Sequence, residues 1–133
     1  MSEAFEITVV LPAPPQRVYA AWLDSDEHTA MTGGVAEIDP RVGGKHIAWD
    51  GYITGVNLEL EPDRRIVQSW RAADFPIDAP ASHLEIVLEN EGGSTRLMLR
   101  HTALPDGSGE RFRAGWADNY FEPMKEYFAT RRE

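Results

Sequence analysis

The chain has 133 residues, 42% of them hydrophobic and 26% charged, the size and balance of one globular domain rather than a disordered segment. Its 13 basic against 22 acidic residues give a formal charge of -9, which disfavours partners that present nucleic-acid phosphates or anionic lipid headgroups. With no cysteine in the chain, disulfides, thiolate metal sites and a cysteine nucleophile are excluded together.

Phe5 to Leu11 reads as a first strand. Pro12, Pro14 and Pro15 end it, and a proline suits the first turn of the helix that follows. The pairs Val18/Trp22 and Tyr19/Leu23 carry that helix to about Leu23. Asp24 and Glu27 have the spacing of a capping box and open a second, short helix through Met31, which Gly33-Gly34 stops. Strand and turn signals then alternate from Val35 to Thr102. Asp50-Gly51 predicts a two-residue turn joining Lys45–Trp49 to Tyr52–Leu60. Glu61 to Arg64 turns the chain into Arg65–Arg71, and a loop over Ala72–Ala81 leads to His83–Glu89. Gly92-Gly93 turns that strand into Thr95–Thr102.

From Phe112 the apolar residues Trp116, Tyr120, Phe121, Met124, Tyr127 and Phe128 line one face of a long helix. Pro123 falls inside it and cannot donate to the carbonyl of Asn119, so the helix must kink. Short hairpin links make the sheet antiparallel, and helices segregated to one face of it define an α+β domain, single over residues 1–133.

The stretches Leu11–Trp22, Gly43-Gly44, Trp49–Gly55, Arg65–Arg71 and Gly115-Trp116 resemble the activator of Hsp90 ATPase homologue family, within the START-like (SRPBCC, helix-grip) superfamily. The likeness spans nearly the whole chain, and its motifs mark turns and core aromatics. It implies a helix-grip fold of order β-α-α-β6-α, with a curved antiparallel sheet wrapped around a long C-terminal helix and a hydrophobic cavity between them. It implies no single activity, since relatives include chaperone activators, lipid carriers and cyclases. The eukaryotic activators also carry an N-terminal domain that contacts the chaperone, for which 133 residues leave no room. That ranks chaperone activation below ligand binding.

Eight residues are candidates for lining the cavity: Trp49, Trp70, Phe75, His101, Trp116, Asn119, Tyr120 and Met124. The aromatic stripe has two readings, cover for the sheet and lining for a ligand. Asn119 offers a donor and an acceptor to a ligand, or satisfies backbone near Pro123. His101 shares strand parity with Leu97 and Leu99, so it points inward, as a structural imidazole or as a base. Phe75 and Ile77 make the 72–81 loop apolar, as a lid or as a satellite of the core. The other histidines lack paired metal-ligand spacing, and no carboxylate pair stands out for acid–base work.

The expected function is non-enzymatic binding of a small hydrophobic or amphipathic ligand. A chaperone partner is one alternative and a small cavity enzyme of cyclase or hydrolase type the other. Neither a catalytic set, a metal nor a cofactor is expected. No apolar run approaches the roughly 20 residues that span a bilayer, and no signal peptide is visible. The expected setting is a cytoplasmic monomer or homodimer.

Overall fold

The computed structural model describes residues 3–130. Strand β1 (Glu3–Leu11) alternates half-buried and exposed positions, as a strand with one face on a core must. Pro14 stands extended before helix α1 (Pro15–Trp22). Asp24 caps helix α2 (Ser25–Thr32) by accepting from the Glu27 N–H at 2.8 Å, and Gly33 ends that helix with a φ of 85°, a conformation that costs glycine nothing.

Six further strands follow: β2 (Glu37–Ile38), β3 (Lys45–Ala48), β4 (Ile53–Glu61), β5 (Arg65–Ala72), β6 (Ser82–Glu91) and β7 (Ser94–Leu104). All pair antiparallel in one seven-stranded sheet of order β1-β7-β6-β5-β4-β3-β2. The two early helices carry the chain across one face, so β1 pairs with β7 at one edge and β2 forms the other. This is the α+β helix-grip architecture.

The β3–β4 connection differs from the expected two-residue turn. Ala48 pairs with Ile53, so residues 49–52 bridge the strands. Trp49, Asp50 and Gly51 take φ values of 53°, 59° and 97°. Trp49 and Tyr52 therefore leave the strands assigned to them and stand in the turn. A left-handed tryptophan costs on the order of 1–3 kcal/mol and persists only where its surroundings hold it. Here the indole packs against Gly34, where any β-carbon would collide with the ring.

The C-terminal helix has three continuous parts: α3 (Gly109–Gly115), a π-helical segment (Trp116–Phe121) and α4 (Glu122–Thr130). The Glu122 N–H reaches back five residues to the Ala117 carbonyl, so the ladder is already widened where Pro123 removes a donor. The irregularity expected at the proline is this wide turn. Its extra residue brings Trp116, Tyr120 and Phe121 all inward.

The core lies between this helix and the concave face of the sheet. Leu84, Ile86 and Leu88 of β6 pair with His101, Leu99 and Leu97 of β7. Above them Trp116, Phe121, Met124 and Phe128 are at most 3% exposed. No helix among the described residues is long and apolar enough to cross a membrane.

Candidate functional site

A pocket of about 250 Å³ opens between the β3–β4 turn, strand β5 and the wide turn of the C-terminal helix. Trp49 and Tyr52 line it from the turn, Ile53 from β4 and Trp70 from β5. Phe112, Gly115, Trp116, Asn119 and Tyr120 line it from the helix. The rings brace one another: Trp116 and Tyr120 lie 4.5 Å apart between centroids, Trp70 and Phe112 5.2 Å, and Trp49 and Tyr120 5.9 Å. The Trp70–Phe112 and Trp49–Tyr120 pairs meet edge to face and Trp116–Tyr120 is tilted at 35°; favourable aromatic pairs add about 0.5–1.5 kcal/mol each beyond burial.

Two buried histidines fix the helix wall from behind. The Trp116 indole N–H donates to His101 Nδ1 at 3.0 Å. That nitrogen is therefore unprotonated, and the ring proton sits on Nε2. It meets Ser82 Oγ at 2.7 Å, while the Ser82 hydroxyl donates to the Trp70 carbonyl at 2.7 Å. Every polar atom of this chain is satisfied, and it ties the helix to β5, β6 and β7.

His28 does the same for Tyr120 in the opposite tautomer. Its Nδ1 lies 2.9 Å from the Trp22 carbonyl, which can only accept, so Nδ1 carries the proton. Nε2 then accepts the Tyr120 hydroxyl at 3.1 Å. Burial holds the Tyr120 phenol well above its ordinary pKa. Among the described residues no buried side-chain polar atom lacks a partner.

Burial drives His28 down to about 4 and His101 to about 3, because neither site can hydrate an imidazolium. Both are neutral at pH 7, and the unfolded chain takes up protons that the folded chain refuses. Their stabilising contribution is thus complete above an unfolded pKa of about 6.5 and is lost as pH falls toward the folded values. Between pH 6.5 and 5 each histidine should cost about 1.4 kcal/mol per pH unit at most. Denaturant midpoints at pH 7, 6 and 5 check this: the expected result is a steady fall, and a flat profile would contradict it.

At the rim, the Tyr52 hydroxyl donates to Asp74 at 2.9 Å, and Arg111 pairs with the same carboxylate at 2.9 Å. Asn119 is exposed at the mouth. Among the described residues no group of three or more His, Cys, Asp or Glu is placed to hold a metal ion.

Of the eight candidates, Trp49, Trp70, Trp116, Asn119 and Tyr120 line this pocket. The other three lie outside its lining. Phe75 packs on Trp70 and Phe112 at 6.0 and 5.7 Å and is 5% exposed, held there because Arg71 binds the loop carbonyls of Pro76, Ile77 and Ala79. His101 supports the wall, and with both nitrogens engaged it offers no free base. Met124 is fully buried in the core.

Sequence reasoning missed Tyr52, Ile53, Phe112 and Gly115 in the lining and His28 behind it. Phe112 had a signal, since it stands four residues before Trp116 on the same helical face. His28 had none, because its partner Tyr120 is 92 residues away.

The family model for activator of Hsp90 ATPase homolog 1-like proteins matches residues 12–129. Activator of 90 kDa heat shock protein ATPase homolog 1 from Homo sapiens is 28% identical over 114 residues, 86% of this chain and 33% of the human protein. The chain thus spans about a third of the length of the curated relatives it matches. The crystal structure of an HSP90 activator from Plasmodium falciparum superposes with a TM-score of 0.87 at 27% identity, covering 95% of this chain and 96% of that one. Protein CV1439 from Chromobacterium violaceum gives 0.76 at 28% identity, covering 93% and 95%. With the helix-grip fold and a family match over most of its length, the chain belongs to the activator of Hsp90 ATPase homolog 1-like family.

Proposed function

We propose that the chain binds a small hydrophobic or amphipathic ligand in the pocket between the sheet and the C-terminal helix. The observation that carries this reading is Gly115. It lies on the pocket wall in helical conformation, with φ -61° and ψ -40°. A β-carbon there would meet nothing nearer than Asn119 Nδ2 at 3.8 Å. Alanine at such a position is favoured by roughly 0.5–1 kcal/mol, and no packing within the protein demands the glycine. What the missing side chain leaves free is pocket volume, bounded by aromatic rings and one carboxamide, as in small-molecule sites.

Two substitutions separate stability from binding. Gly115→Ala should raise the unfolding free energy by about 0.5–1 kcal/mol, and Gly115→Leu should fill the pocket. Thermal shifts with indole, 2-naphthol and decanol, beside native mass spectrometry of freshly purified protein, read the binding. Stabilisation of the wild type by at least one probe, abolished in Gly115→Leu, is expected. No shift with any probe and no co-purifying mass, or equal shifts in both proteins, would sink the reading.

A second reading is activation of an Hsp90-type ATPase. The family match supports it, as does the likeness at 27% identity to a chain of nearly the same span described as an HSP90 activator. That likeness removes chain length as an argument against a chaperone partner. Addition of the chain to an Hsp90-type chaperone should then raise its ATPase rate. An unchanged rate at excess protein, with no complex in sedimentation, would dismiss it.

A further inference from the structure

We infer that the pocket selects organic cations of the alkylammonium class, an inference that rests on the ligand-binding reading above. Six of the nine lining residues are aromatic: Trp49, Tyr52, Trp70, Phe112, Trp116 and Tyr120. The faces of such rings carry negative potential and attract cations, and cages of them serve to recognise quaternary ammonium groups. The remaining lining residues, Ile53, Gly115 and Asn119, bear no charge, so no lining residue offers a cation to a carboxylate or phosphate.

The rim points the same way. There Arg111 is committed to Asp74 at 2.9 Å, and its guanidinium already sits 4.3 Å from the centre of the Phe112 ring. The protein thus seats a cation of its own on a lining aromatic. Asp50 and Asp118, both exposed, directly adjoin the lining residues Trp49 and Asn119. The formal charge of -9 raises the local concentration of cations around the whole molecule. An ammonium head with a short apolar body meets all of these features at once: rings around the charge, a neutral carboxamide at the mouth, and carboxylates outside.

The test compares two molecules of one shape, phenyltrimethylammonium and tert-butylbenzene, which differ in a single central atom and in charge. The four indole N–H resonances of the wild-type protein, followed in titration, report binding. A pocket that merely excludes water prefers the neutral probe by a wide margin, since a charge leaves water at a large cost. The expected result is that the cation binds at least as tightly as its neutral counterpart, and that Gly115→Leu weakens the cation at least tenfold. Tighter binding of tert-butylbenzene would overturn the cation inference and leave the ligand-binding reading standing. Undiminished cation binding in Gly115→Leu would place that ligand elsewhere and also overturn the inference. Failure of both probes to bind would remove the inference together with the reading beneath it.

Discussion

Replacing His101 by alanine is expected to lower the unfolding free energy by about 3 kcal/mol and Tm by roughly 10 °C. The imidazole is fully buried and accepts the Trp116 indole N–H at 3.0 Å. Its loss orphans that donor in a dry site, at about 1–3 kcal/mol, and leaves a cavity between β7 and the helix. Trp116→Phe makes a finer cut, because it keeps most of the ring and deletes only the N–H. It should cost about 1–2 kcal/mol, because His101 Nδ1 then loses its donor in a buried site. The two changes remove the same bond, so the double variant should be less destabilised than the sum by about 1 kcal/mol. Denaturant unfolding of the four proteins measures this, and strict additivity would show that the bond contributes nothing.

Gly55→Ala is expected to cost at least about 3 kcal/mol. The reason is space, since the φ of Gly55 is not in the left-handed region. The residue pairs with His46 across β3 and β4, and the His46 imidazole reaches over it to donate to the Ser69 carbonyl at 2.8 Å. A β-carbon would collide with that carbonyl and with the ring together. Both obstacles are rigid: one is the backbone of β5, and the other is a buried side chain anchored to it. A methyl group must therefore push β4 from β5 or break the His46 bond. Either displacement reaches the pocket, because Ile53 lies two residues from Gly55 and Trp70 follows Ser69. Thermal unfolding decides the matter, and a loss below about 1 kcal/mol would mean that β4 yields where the packing says it cannot.

How much of this the sequence disclosed follows from the range of the forces involved. The strands of the meander, the Asp24 cap and the aromatic stripe rest on local spacing and turn chemistry, so they are legible in a short window. The wide turn was legible in part: Pro123 marks a disturbed ladder, but where the extra residue settles depends on how Trp116 and Phe121 stack, at 6.0 Å. The β3–β4 turn was misread because Asp50-Gly51 fits a tight primed hairpin. Gly34, distant in the chain, leaves the space that lets the Trp49 indole pack in a left-handed conformation. His28 and Gly115 were invisible for related reasons. The value of each depends on what stands opposite in space, which for His28 is Tyr120 and for Gly115 is an opening.

Two neutral imidazoles in opposite tautomers fix the aromatic wall of the pocket. Long-range proton–nitrogen correlation of the histidine side chains reads this directly. The predicted spectrum at pH 7 shows His101 protonated at Nε2 and His28 at Nδ1, and both rings still neutral at pH 5. An imidazolium at either position at pH 7, or the same tautomer at both, would contradict it.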